Sequence, residues 1–210
     1  MSEGQEAARR ALSASLVSGI AHDLNGRLGA LLGVAHLARS SSPMDEELLN
    51  VLDDQIRRLR ESVILLRSVP LADSRAEPRE VLLSEAITNA VRLYRCRSGP
   101  TLATLQIAPD IDDGNLLQVW GAPLTEALLL VLAAAERSHA ETPCRVRISY
   151  GANGAGRRIR VERCGDEGLD AEMPGGVTEA EVIDAARERM ERAGGRLERE
   201  DAAFVMILPS

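Results

Sequence analysis

A run of regularly spaced apolar residues in the first third of the chain constrains its fold most. Leu48, Leu52, Ile56, Leu59, Val63 and Leu66 follow one another at intervals of four, four, three, four and three. Only a helix gathers that spacing into one line, and the line is a coiled-coil-like seam. A second stripe precedes it, through Leu12, Leu16, Ile20, Leu24, Leu28, Leu31 and Ala35. Between them Arg39-Ser-Ser-Ser-Pro43 breaks the pattern. Ser42 suits an N-cap, Pro43 a first helical turn, and Asp45, Glu46 and Glu47 the positive end of the helix dipole. Two long helices joined by so short a connection make an antiparallel hairpin. Two helices enclose no core by themselves. A homodimeric four-helix bundle is the expected solution. The alternative is that the second half of the chain covers the stripe in cis.

The hairpin is expected to occupy residues 1–69. Residues 70–80 hold two prolines and mixed charge and read as a linker. From 81 to 210 the pattern alternates. Helices are predicted near Glu80–Tyr94, Leu124–His139 and Thr178–Ala193, the last stopped by Gly194-Gly195. Strands are predicted at Leu102–Ile107, Arg145–Tyr150, Arg158–Arg163, Arg196–Glu200 and Phe204–Leu208, with a turn at Asn153–Gly156. The sum is an α+β chain: a helical hairpin followed by an α/β sandwich, with helices on one face of a mixed sheet. Apolar residues make up 45% of the chain and aromatics only 2%, so the core is built of Leu, Val, Ile and Ala.

The net charge of −7 argues against nucleic acid or an anionic membrane as partner, because both select basic surfaces. Cys96, Cys144 and Cys164 are too scattered for a disulfide framework or a zinc site. The opening MSEGQEAARRAL lacks the apolar core of a signal peptide, and no apolar run is long enough to span a membrane. A cytoplasmic protein is expected.

His22 lies off the leucine stripe of the first helix. Ser15, Ser18, Gly26, Gly29 and Gly33 share its face. Each interior glycine costs a helix roughly 1 kcal/mol relative to alanine, and this helix also carries Gly19. A smooth surface where another protein approaches the imidazole would offset that cost. Close packing inside the bundle is the plainer explanation.

The run His22-Asp23-Leu24-Asn25, followed by Leu28 in a Leu-rich helix, resembles the phosphoacceptor helix of two-component sensor histidine kinases. That family's motif is His-Glu/Asp-Leu-x-x-Pro/Leu. The Ser-Pro break and the second heptad helix extend the likeness over residues 12–69. The resemblance implies that one ring nitrogen of His22 takes a phosphoryl group. It implies also that Asp23 orients the other nitrogen or accepts its proton. A neutral imidazole is the nucleophile near neutral pH, and a carboxylate beside it raises its basicity. The family's phosphatase residue, a Thr or Asn four positions after the histidine, is replaced by Gly26, with Asn25 the nearest amide. That departure speaks against phosphatase activity. Asn25, with Gly26, Gly29 and Gly33 of the glycine face, is the candidate docking surface for a receiver domain. Arg57 and Arg60, near one edge of the second helix, are candidates to steer its acidic pocket. His36 and His139 are assigned no role.

From Val81 onward the order of elements resembles the same family's ATP-binding domain, but its nucleotide residues fail. The family's long helix supplies two asparagines for magnesium and phosphates. Here it reads PLTEALLLVLAAAERSH, and no Asn occurs between Leu116 and Ala152. Magnesium needs hard oxygen ligands, which Leu and Ala lack. Asp166-x-Gly168 survives from the next motif, whose last glycine position is Asp170, and only Gly175-Gly176 remains of the phosphate-wrapping glycines. Neither ATP nor a metal is expected as a cofactor. A phosphohistidine hairpin with a degenerate ATP-like domain resembles the dimeric bacterial histidine phosphotransferases of the ChpT type. These move phosphoryl groups between receiver aspartates. The competing reading is a dimeric pseudokinase scaffold that binds response regulators without carrying phosphate.

Overall fold

A computed structural model describes residues 2–40, 46–69, 80–96, 104–107, 119–135, 145–153, 156–164, 177–201 and 203–208. The Ser42-Pro43 break, the body of the linker (70–79), the centre of the Asn153–Gly156 turn, Asp166 to Asp170 and Gly175-Gly176 lie outside them. Helix α1 spans Glu3–Ser40 and α2 Glu46–Ser68. They are followed by β1 (Glu80–Val81), α3 (Leu83–Arg95), β2 (Thr104–Ile107), β3 (Val119–Trp120) and α4 (Gly121–Ala135). Then come β4 (Arg145–Asn153), β5 (Gly156–Cys164), α5 (Glu179–Arg192), β6 (Arg196–Glu200) and β7 (Ala203–Leu208). The chain is α+β. Two short strands were not anticipated: Glu80–Val81 is no helix start but pairs antiparallel with Val119–Trp120. Two-residue strands are below the length at which alternation is visible. No helix among the described residues is long and apolar enough to cross a membrane.

Ser62 of α2 meets Asp23 of α1, which fixes the register of the hairpin. Both helices rise about 1.5 Å per residue, so the end of α2 lies level with roughly residue 17 of α1. The first four turns of α1 therefore overhang α2 by roughly 20 Å. This overhang is not left for a second copy. Ala8, Leu12, Leu16 and Ile20 are buried against the chain's own second half, where α1 packs on α5 and α4. The stripe predicted as one intermolecular seam is thus split. Its early part is covered in cis. Beyond it Leu28 is 46% exposed and, on α2, Ile56 49%.

A buried ion triad sits in the docked part. Glu126 is the lone charge among the apolar residues of α4. It accepts from Arg9 Nε of α1, and its other oxygen lies 3.0 Å from Arg189 Nε of α5. The second contact is an ion pair only, because the Arg189 N–H is not aligned for a hydrogen bond. All three side chains are 5–8% exposed. Burial pushes the Arg189 pKa down, against the opposing pull of Glu126. At the overhang's tip, Gly4 runs against Glu181, and a Cβ there would collide with that carboxylate. Glu181 closes the capping box on Thr178 that starts α5.

The main sheet has the order β2-β4-β5-β7-β6, parallel only between β2 and β4. Val146 and Ile148 of β4, Ile159 and Val161 of β5, and Phe204, Met206 and Leu208 of β7 belong to one core with α3, α4 and α5. On the opposite face, Arg158 and Arg160 reach across β7 to Glu200. In register they stand beside Ile207 and Val205, where long aliphatic stems fit a strand buried on both faces. Helix α4 is buried at every position from Leu124 to Ala135, as an all-round apolar helix must be. At the end of α5, Gly194 takes the left-handed φ of 79° that stops the helix.

Candidate functional site

His22 stands exposed on α1, just past the part covered in cis. An α-helix turns roughly 100° per residue, so His22, Gly26, Gly29 and Gly33 fall within roughly 40° of one line. A Cβ built on Gly26, Gly29 or Gly33 meets nothing within 4 Å. Within one chain these glycines therefore serve no close packing among the described residues. Their cost in helix propensity, roughly 1 kcal/mol each, is not recovered there. Asn25 is exposed on one flank of this surface.

The Asp23–Ser62 contact gives the direction in which the two helices face each other. Measured from it, His22 and its glycines lie on one side of the hairpin. Leu24, Leu28 and Leu31 of α1, with Leu52, Ile56, Leu59 and Val63 of α2, lie roughly on the other. The imidazole and the exposed apolar surface are thus opposite one another.

Asp23 points toward α2. Its Oδ2 accepts from Arg27 Nε at 2.8 Å, one turn along α1, and from Ser62 Oγ at 2.7 Å. Burial would raise the Asp23 pKa. The hydrogen bonds from Arg27 and Ser62, with the charges of Arg27 and His22, outweigh it and hold the carboxyl below its ordinary value. The sign for stability follows. A carboxyl with a depressed folded pKa stabilises fully above its unfolded value of about 4, and the contribution is lost as pH falls through the folded value. Arg27 is correspondingly held above its ordinary range, first by its bond to Asp23. Cys96, just past α3, lies close enough to feel both charges, and burial pushes its thiol up.

The two arginines expected to steer a partner are not gathered at the imidazole. Arg57 leans toward the His22 side but is bonded to Asp54, which Arg58 also contacts at 2.7 Å. Arg60 is exposed and directed roughly away from α1. Sequence reasoning missed Ser62, a small polar residue among leucines. It missed also the Arg9–Glu126–Arg189 triad. A single Glu in an otherwise apolar helix was the available signal, because a buried carboxylate is almost always paired. Among the described residues, no three His, Cys, Asp or Glu side chains are grouped to hold a metal ion.

No family model matches this chain, and no curated protein matches it. Solved structures give loose superpositions, among them three histidine kinases. The Acinetobacter baumannii histidine kinase AdeS is 15% identical, over 90% of this chain and 97% of that one, with a TM-score of 0.39. The catalytic domain of histidine kinase ThkA, in a nucleotide-free form, is 14% identical over 62% and 95%, with a TM-score of 0.41. The Erythrobacter litoralis EL346 blue-light activated histidine kinase is 15% identical over 94% and 59%, with a TM-score of 0.37. Superpositions this loose assign no function.

Proposed function

We propose that this chain is a histidine phosphotransferase of a two-component phosphorelay, of the ChpT type. A phosphoryl group passes from one receiver aspartate to His22 and from there to another. The observation that carries the reading is an exposed imidazole on a helix face whose glycines leave open space around it. In the forward step a ring nitrogen attacks phosphorus, the P–O bond of the acyl phosphate breaks, and the receiver carboxylate leaves. The return step is the reverse, so the site needs no nucleotide. The burial of α4 supports that absence. Its only polar side chains between Leu124 and Ala135 are Thr125 and Glu126, and Glu126 is committed to Arg9 and Arg189. Nothing on that helix is left to hold magnesium. The reading is tested with labelled ATP alone and then with a labelled phospho-receiver. Acid-labile label is expected only from the receiver. Label from ATP would make the chain an autokinase, and label from neither would leave the scaffold reading.

The glycine face supplies a sharper expectation. Gly33→Ala should raise helix stability by up to about 1 kcal/mol, since its Cβ meets nothing. Gly33→Gln should unfold at nearly the wild-type temperature yet slow transfer from the receiver at least tenfold, by blocking docking. Transfer at the wild-type rate would move the docking surface elsewhere. Unfolding would show that the glycines serve bundle packing in the assembled protein.

The same reading includes a cytoplasmic homodimer, with the second copy on the apolar surface opposite His22. Leu28, Leu49, Ile56 and Val63 are exposed in the single chain. Ile56→Asp places a charge in that seam and should convert the dimer to a folded monomer in sedimentation at micromolar concentration. The fold is retained because Ile56 makes no part of the core formed in cis. Wild-type protein sedimenting as a monomer would refute the bundle.

A further inference from the structure

The aspartate next to a phosphoacceptor histidine has two possible ways to help it. It can take a hydrogen bond or proton from the ring, or it can act on the ring through its charge alone. The two differ in where the carboxylate points. Asp23 and His22 are neighbours in sequence, so their side chains leave α1 roughly 100° apart. His22 projects to the open face and Asp23 into the seam with α2. Two donors already hold Asp23 there, and both bond the same oxygen: Arg27 Nε at 2.8 Å and Ser62 Oγ at 2.7 Å. Ser62 is itself buried, and its one hydroxyl hydrogen goes to Asp23, the nearer acceptor, over the Arg58 carbonyl at 3.1 Å. The titratable groups around this knot are Arg27 on α1, Glu61 on α2 and the thiol of Cys96 past α3, with His22 behind.

We infer that Ser62, together with Arg27, is a positioning residue that commits the Asp23 carboxylate to the α1–α2 seam, so that Asp23 acts on His22 through its charge and not as a hydrogen-bond or proton acceptor. The inference rests on the phosphotransferase reading for its chemical meaning. The chemistry permits it. A neutral imidazole attacking an acyl phosphate forms one N–P bond and releases a carboxylate. The ring keeps its other N–H and becomes a phosphoimidazolium, which later loses that proton to water. No side chain has to take a proton in the transfer step. A nearby negative charge still favours the cationic ring that forms. The depressed pKa of Asp23 agrees with this, because it makes the carboxylate a poorer base than an ordinary Asp.

Asp23→Asn separates the two roles, since its amide oxygen still accepts from Ser62 and Arg27 while the charge is gone. The first measurement is the 15N NMR spectrum of the His22 ring in wild type and Asp23→Asn, which reports the tautomer ratio and needs no phosphodonor. An unchanged ratio is expected, and a changed ratio would mean that the carboxylate bonds the ring. The second is labelling by phosphoramidate, a small donor that bypasses docking. Its N–P bond breaks as the new one forms, and ammonia leaves from the form that already carries the third proton on nitrogen. Asp23→Asn should keep the plateau rate, the maximum of the pH profile, within about threefold. A plateau loss of a hundredfold or more, the range expected for a missing general base, would overturn the inference. The third follows the Asp23 carboxyl by 13C NMR. Ser62→Ala should move its midpoint upward, toward that of a free aspartate, and an unmoved midpoint would remove Ser62 from the positioning role. If wild-type His22 is never labelled, the phosphotransferase reading fails, while the tautomer and carboxyl measurements still decide where Asp23 points.

Discussion

His22→Ala is expected to abolish labelling from a phospho-receiver, with loss to background and no partial activity. Covalent catalysis needs the nucleophile itself, and alanine offers no atom that can hold phosphorus. Folding should be untouched. His22 is exposed, and alanine is a better helix former than histidine, so thermal unfolding should stay within about 1 °C or rise slightly. Receiver binding should survive in part, because the surface of Gly26, Gly29 and Gly33 remains. Assaying label, binding and unfolding on one preparation therefore separates chemistry from docking. Acid-labile label persisting on His22→Ala would refute the site, and His36, exposed farther along the same helix, would be the residue to replace next.

Glu126→Ala is expected to destabilise the protein severely. Glu126 is the carboxylate shared by Arg9 and Arg189, and all three are almost wholly shielded from water. Removing it leaves two guanidinium groups in low dielectric without that counter-charge. Breaking a buried ion pair from one side typically costs about 3–5 kcal/mol. In a chain of this size that corresponds to a fall in unfolding temperature on the order of 10 °C. Removing all three charges together has a different outcome. An Arg9→Met, Glu126→Leu, Arg189→Met variant exchanges the desolvated charges for apolar packing and should recover most of the loss. Urea midpoints of the single and triple variants give the comparison. A single variant as stable as wild type would mean that water reaches Glu126. The triad joins α1 to α4 and α5, so the single variant should also loosen the docking of the helical overhang on the α/β part. Faster amide exchange at Leu12 and Leu16 would register that loosening.

The local features of this chain were legible because their causes are local. Periodicity of three and four placed α1 and α2. The helix predicted over Thr178–Ala193 is α5, capped at Thr178 and stopped at Gly194, because a cap and a left-handed glycine act within one turn. Alternation placed β4 to β7 within a few residues. The candidate site was legible to the same extent: the sequence determines that His22 and the glycines share a face, because the helix itself sets that angle. Partners distant in sequence were not legible. That Asp23 turns to Ser62, 39 residues away, depends on the register of the hairpin, which the tertiary structure decided. That Glu126 joins Arg9, 117 residues away, depends on how the second half seats on the overhang. The same seating decided the fate of the first stripe. Its leucines are equivalent in pattern from Leu12 to Leu31, but the chain's second half covers only the early part, through Ile20, and leaves Leu28 exposed. Hydrophobic burial has no direction, so the spacing of leucines says that a face will be covered and leaves the covering partner to the packing of the whole chain.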